Sequence, residues 1–301
     1  MTRRLVVFGR TGQLATALAA HSESAGWRTR FIDRTTCDFS KLDTLHEALS
    51  SIGEFDIAIN AVAYNDVDEA ERDAGLAERV NAEAPKLIAR HCAERQRPFL
   101  HVSTDFVFPG RPGGQYDEGD TPAPLNAYGH TKRAGERAVL EAWNKHAVFR
   151  TAWVYSATHR NFLTAMLNQI GRRDTVQVVS DQIGSPTSTT TLANGLLLAA
   201  NRILSDTVPG GLYHLCDRGA VSRSGFASEI YRLAASRGAV PTVTPISAAG
   251  WPSPAKRPGD ASLNCQHFET AFNSTLPHWR DSLECVVSSW RDADISAPAS
   301  P

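Results

Sequence analysis

Short apolar runs alternate with amphipathic stretches along the first half of the chain, and turn residues separate them. Leu5-Val-Val-Phe8 is continuous and β-rich, which predicts a strand covered on both faces. It runs into Gly9-Arg10-Thr11-Gly12-Gln13-Leu14-Ala15 and a helical pattern over residues 15–25. A second strand over 28–32 ends at Asp33-Arg34, and a helix over 41–52 follows, with Ser40 as N-cap and Asp43 three residues on. Residues 56–60 read as a third strand. Residues 67–77 and 81–92 read as helices, the second with Ala84, Leu87, Ile88 and Cys92 on one face. A strand over 99–102 ends at Ser103-Thr104-Asp105, and a Gly-, Pro- and acid-rich loop over 109–127 leads to a helix over 128–143. Residues 147–150 open another strand. Such alternation predicts an α/β fold with a parallel, doubly wound sheet and right-handed crossovers.

The pattern then loosens. Helices are expected over 161–170, 189–200, 224–236 and 281–290, and short strands over 176–179 and 211–215. Residues 180–187 read as an irregular loop, and the stretch to Pro258 as Pro-rich linker. The division that follows is a dinucleotide-binding unit over 1–152 with a returning segment at about 188–221. Residues 153–187 and 222–292 form a smaller substrate lobe over the carboxyl edge of the sheet, and 293–301 a frayed tail.

Composition narrows the partners. The 301 residues carry a net charge of −1 and no basic block, so neither nucleic acid nor a membrane surface is an expected partner. The five cysteines are scattered without a C-x-x-C, which reads as reduced thiols in a cytoplasmic protein. No apolar stretch is long enough to span a bilayer.

Candidate chemistry sits at the predicted strand ends. Gly9 and Gly12, after a first strand and before a helix, allow a tight turn and a close approach of N–H groups to a dinucleotide diphosphate. Arg10, Thr11, Gln13 and Leu14 complete that loop, with small Ala15 where a third glycine usually stands. Asp33 falls about twenty residues after Gly12, where an acid bonds the adenosine ribose, or else it caps its own loop. Arg34 and Arg10 suit a 2′-phosphate instead, so these residues leave NADP(H) and NAD(H) both open. Asp38 and Phe39 are candidates for clasping the adenine. Ala61, Val62 and Ala63 are small and apolar enough for a flat cofactor to lie along the strand tips. Tyr128 and Lys132, four apart, share a helix face. An ammonium there favours the phenolate, and Thr104 or Ser103 completes a cluster suited to proton transfer at a carbonyl or alcohol oxygen. Taken alone, that spacing also describes a surface tyrosine and a solvated lysine.

These pieces, with Val67-Asp-Glu-Ala-Glu, Ser103-Thr-Asp-Phe-Val-Phe-Pro-Gly, Pro124-Leu-Asn-Ala-Tyr-Gly-His-Thr-Lys, Arg150-Thr-Ala-Trp-Val-Tyr, Ser180-Asp-Gln-Ile-Gly-Ser-Pro-Thr and Arg257-Pro, resemble the extended short-chain dehydrogenase/reductases along nearly the whole chain. Within them the order and spacing are similar to the dTDP-4-dehydrorhamnose reductases. The resemblance implies a Rossmann-type fold and NAD(P)H-dependent reduction of the C4 ketone of a dTDP-sugar, with NADP(H) favoured and NAD(H) usable. It implies Tyr128 as proton donor, Lys132 as the group that lowers its pKa and holds the nicotinamide ribose, and Thr104 as partner of the reacting oxygen. Thr104, Asp105, Tyr128 and Trp153 become sugar contacts, although Trp153 serves equally as a core aromatic at a strand end. Some relatives hold magnesium through glutamates at a homodimer contact. Here those neighbourhoods read Ala15 and Thr190, so no metal is expected. Phe106 replaces a frequent tyrosine, and a phenyl ring cannot serve as the acid that a dehydratase needs beside Asp105. A 4-ketoreductase for another deoxysugar remains an alternative. So does a non-catalytic regulatory subunit resembling the methionine adenosyltransferase β subunit, although that needs no complete Thr/Tyr/Lys set.

Overall fold

The computed structural model describes residues 3–290. In chain order, β1 (Arg3–Phe8), α1 (Gln13–His21), β2 (Trp27–Ile32), α2 (Leu42–Ser50) and β3 (Ile57–Asn60) come first. Next are α3 (Val67–Arg72), α4 (Ala74–Glu78), a π-helical turn (Arg79–Glu83), α5 (Ala84–Glu94), β4 (Phe99–Thr104), α6 (Ala127–Ala142) and β5 (Ala147–Thr151). The second half adds β6 (Val154–Tyr155), α7 (Phe162–Leu167), β7 (Thr175–Val179), β8 (Ile183–Gly184), β9 (Thr187–Ser188), α8 (Thr189–Leu204) and β10 (Gly211–His214). It ends with β11 (Val221–Ser222), α9 (Arg223–Ala234), β12 (Thr242–Ile246), α10 (Gln266–Phe272) and α11 (Trp279–Ser289).

The main sheet has the order β10-β5-β4-β3-β1-β2 and is parallel throughout, so the doubly wound expectation holds. Period-two side-chain alternation splits its apolar residues between two layers. Leu5 and Val7 face a layer built with Leu18 of α1 and Leu196 of α8. Val6 and Phe8 face another, with Leu45 of α2, Ile88 of α5 and Val139 of α6. A separate core of Leu163, Val176, Phe226, Ile230, Trp279 and Leu283 holds the smaller lobe. Strand order reverses between β1 and β3, and that switch point opens a crevice at their carboxyl ends, where open α/β sheets bind ligands.

Several boundaries differ from expectation, each for a local reason. The helix expected over 67–77 breaks at Asp73 (φ −128°, ψ 68°), whose carboxylate accepts Leu76 N at 2.8 Å and starts a new helix. Ser40 does not cap α2; its N–H and hydroxyl donate to Asp38 Oδ1 at 3.0 and 2.6 Å, and Lys41 holds the cap position. The Pro-rich stretch contains β12, which pairs parallel with β7 and carries Pro245 without breaking the ladder. α10, between that stretch and the last helix, was not anticipated. The tail over 293–301 lies outside the described residues.

Candidate active site

The dinucleotide loop meets its requirements in part through backbone alone. Gly9 adopts φ 103°, a conformation costly for any residue with a Cβ, and that Cβ would also press on Val62 Cγ2 at 3.2 Å. Gly12 is the N-cap of α1, no side chain satisfies that helix start, and the space beside Gly12 is open. Uncapped N–H groups with an open approach fit a diphosphate. The flanking side chains behave differently. Gln13 Oε1 accepts from Ser156 and Asn161 at 2.9 and 3.0 Å, tying the loop to the small lobe, and Leu14 is buried in the core. His159 Nε2 lies 3.0 Å from Thr11 O, a second tie between loop and lobe. Arg10 lies over Phe31 at 4.6 Å, while Arg34 is exposed.

Asp33 Oδ1 accepts from Thr35 N at 3.0 Å, Thr35 Oγ1 at 2.5 Å and Thr36 N at 3.2 Å, which holds its carboxyl below the usual range. The loop-capping alternative is therefore realised, with Oδ2 left over. Asp38 likewise organises a turn. Phe39 is not placed to clasp an adenine: it is buried, edge-on to Phe8 at 6.2 Å, because the core claims its apolar ring. Ala61 and Val62 are half-buried and Ala63 exposed at the tip of β3.

The catalytic candidates converge. β4 delivers Thr104 at its end, buried, and the hydroxyl donates to Asp105 Oδ1 at 3.0 Å and accepts from Phe106 N at 3.2 Å. α6 starts at Asn126, whose side chain accepts from Gly129 N at 2.8 Å and donates to Lys256 O at 2.8 Å, so the helix that presents Tyr128 is anchored to the far end of the chain. Phe106 meets the Tyr128 ring edge-on at 5.7 Å. Tyr128 is half-buried, and desolvation pushes its phenol up to about 12, against the Thr104 hydroxyl and with the help of the Asp105 charge. The expected lowering by Lys132 is not found. Lys132 is buried, its Nζ donates to Val102 O at 2.6 Å, and desolvation pushes it down to about 8 with Glu136 opposing. The phenol is thus held as an acid rather than a phenolate.

Residues not singled out from sequence complete the network. Asn60 Oδ1 accepts from Val62 N at 2.9 Å, which turns its Nδ2 toward His101 Nδ1 at 3.1 Å. Nδ1 is then the acceptor, so Nε2 carries the proton and points at Lys132 Nζ, 3.4 Å away. A donor facing an ammonium disfavours the ammonium, a further pressure in the same direction. This relay joins the 61–63 tip to Lys132. Asn81, in the π-helical turn, bridges Tyr64 O and Thr131 Oγ1 at 3.0 and 3.1 Å. Beneath the site, Glu136 makes a bidentate pair with Arg150 (2.7 and 2.8 Å) and accepts Arg133 at 2.8 Å. Only Glu136 left a readable signal, since it lies one turn beyond Lys132.

On the outer side, Asp105 is buried with Oδ2 unpartnered, and desolvation pushes it up to about 7 despite the Thr104 hydroxyl and the Arg223 charge. Trp153 has φ 45°, an uncommon value for an aromatic residue. Its ring is gripped between Gly184, where a Cβ would fall 2.4 Å from Cε2, and the Arg223 guanidinium at 3.5 Å. A cavity of about 450 Å³ elsewhere, between α8 and α11, is lined by none of the candidate residues. Among the described residues no helix is long and apolar enough to cross a membrane.

The whole arrangement can protonate an oxygen held between Thr104 and Tyr128 beside a dinucleotide loop. Residues 3–291 match the family model described as the RmlD substrate binding domain. The chain is 35% identical to dTDP-4-dehydrorhamnose reductase of Escherichia coli K12, covering 94% of this chain and 97% of that one. It is 37% identical to the Mycobacterium tuberculosis H37Rv protein of the same name, covering 95% and 93%. The crystal structure of Bacillus anthracis dTDP-4-dehydrorhamnose reductase in complex with NADP is 29% identical and superimposes with a TM-score of 0.87 over 95% of this chain and 99% of that one. The chain belongs to the RmlD family, that of the dTDP-4-dehydrorhamnose reductases.

Proposed function

We propose that this protein reduces the C4 ketone of dTDP-4-dehydro-β-L-rhamnose to the alcohol of dTDP-L-rhamnose, with NADPH as favoured reductant and NADH as a usable one. The observation that carries the reading is the convergence of Thr104, Tyr128 and Lys132 on the sheet edge that also bears the uncapped start of α1. Balance requires a hydride at C4 and a proton at its oxygen. A bound nicotinamide supplies the hydride. Tyr128 supplies the proton: a phenol pushed up to about 12 keeps it at neutral pH, and a developing alkoxide is basic enough to take it. Thr104 turns its hydroxyl from Asp105 to the same oxygen. Lys132, charged below about pH 8 and one turn from Tyr128 on α6, would favour the phenolate left behind and would hold the ribose hydroxyls of the cofactor.

Cofactor choice follows from the tip of β2. One Asp33 oxygen is committed to its own turn, while Arg10, over Phe31, and exposed Arg34 are the two cations that would suit a 2′-phosphate. The residues over 1–152 and 188–221 form the cofactor unit in this reading, and the smaller lobe contributes Trp153 to the sugar. Phe106, set against Tyr128, offers no proton for dehydration, which disfavours a dehydratase. The test is NADPH and NADH oxidation with enzymatically prepared dTDP-4-dehydrorhamnose, followed by NMR of the product's C4 configuration. Cofactor consumption yielding the rhamno product is expected. No consumption, or the opposite configuration at C4, refutes the assignment.

A further inference from the structure

We infer that Arg223 is the anion receptor of the substrate cleft, taking the diphosphate of the nucleotide sugar; the inference rests on the dTDP-sugar reading above. Arg223 opens α9, directly after the N-cap Ser222, and its own N–H donates to Gln182 O at 3.1 Å. The guanidinium lies 3.5 Å over the Trp153 ring and 5.2 Å from that of Phe162. Stacking uses the faces of the guanidinium and leaves its in-plane N–H edges free. Among the described residues no hydrogen bond or close ion pair occupies those edges, and the charges that act on it are Asp105 and Arg257.

That placement is unfavourable unless something negative completes it. The guanidinium sits by the positive end of a twelve-residue helix whose first turn holds no acid. Burial pushes it down, yet only to about 10, so it is charged at neutral pH. Arg257 adds a second cation, already committed to Asp68 at 2.8 Å and backed by Ser253. Asp105, the carboxylate on this side, is itself pushed up to about 7 and directs one oxygen to Thr104. A positive excess therefore remains at the outer end of the site. The Asp105 charge acts on both Tyr128 and Arg223, so the site runs from a proton donor past a buried carboxylate to an unpaired fork of donors. A sugar ring joined through C1 to a diphosphate presents complementary groups in the same order. Arginine matches phosphate oxygens bidentately, and such charge-assisted bonds are the strong ones.

The experiment is calorimetric titration of dTDP and of thymidine into the full-length protein and its R223Q and R223M variants. R223M keeps an apolar stem over Trp153 while removing the charge. NADPH affinity and melting temperature serve as folding controls. We expect dTDP affinity to fall by about 10- to 100-fold in both variants, as for loss of a charge-assisted contact, with thymidine affinity unchanged. The salt dependence of dTDP binding should also flatten. dTDP binding within two- to three-fold of wild type (about the scatter such context effects show), or equal losses for thymidine and dTDP, would overturn the inference and leave Arg223 a brace for Trp153. If one variant does not fold, the other decides. Wild-type protein that neither binds dTDP nor oxidises NADPH with the sugar would refute the functional reading instead, so the two failures are distinguishable.

Discussion

Lys132→Met separates the catalytic value of the buried amine from its cost. The side chain is 1% exposed, and desolvation pushes its pKa from 10.5 to about 8. At 1.36 kcal/mol per unit, the wild-type fold carries an upper bound of about 3 kcal/mol of penalty for holding the ammonium. Below pH 8 the lysine is protonated in both folded and unfolded chains, and the penalty is fully present. Between pH 8 and 10.5 the unfolded chain keeps the proton and the folded one releases it, so wild-type stability gains as pH rises through that window. The methionine variant has no such term. It also leaves Val102 O without its 2.6 Å donor, a cost of about 1–3 kcal/mol that does not vary with pH. The wild-type-minus-variant difference in unfolding free energy should therefore rise by up to about 3 kcal/mol from pH 8 to 10.5. Urea unfolding of both proteins across that range measures it, with turnover of the variant sharply reduced at every pH. Parallel stability curves would refute the reasoning and mean that Lys132 titrates as if solvated.

Tyr128→Phe should lower kcat by about 100- to 10,000-fold while NADPH still binds, as for removal of a general acid; near-normal turnover would remove Tyr128 from that role. Glu136→Ala strands Arg150 beneath the site and should cost about 3–5 kcal/mol by urea unfolding at neutral pH, because a buried cation is left unpaired. That contribution, from a carboxyl held below its usual value, is present above the unfolded pKa and lost as pH falls through the folded one. Gly184→Ala forces a Cβ to within 2.4 Å of the Trp153 ring, and should raise the KM for the sugar nucleotide more than it alters NADPH affinity. An unchanged KM would place that ring outside the substrate site.

Some features were legible because they are local. Leu5 to Phe8 reads as a buried strand from composition alone, and a glycine turn follows it wherever the chain goes next. Tyr128 and Lys132 share a face because helix geometry imposes it. Phe39 packs in the core, and nothing local tells a ring that stacks on a ligand from one that meets Phe8. The break at Asp73 is hidden for a related reason: an aspartate can cap a new helix as readily as sit within an old one.

The sequence by itself determined the alternation of strand and helix, hence a parallel sheet, its ligand-bearing edge, and the residue types able to move a proton there. Only the tertiary structure decided their ionisation and partners. Spacing predicted a phenolate beside an ammonium, whereas burial disfavours both charges and holds a phenol above a lysine that bonds Val102. His101, Arg150 and Arg223 reach the site through strand register and the packing of the small lobe. Desolvation and contacts between distant segments arise only once the chain has closed on itself, which is why no local pattern announced them.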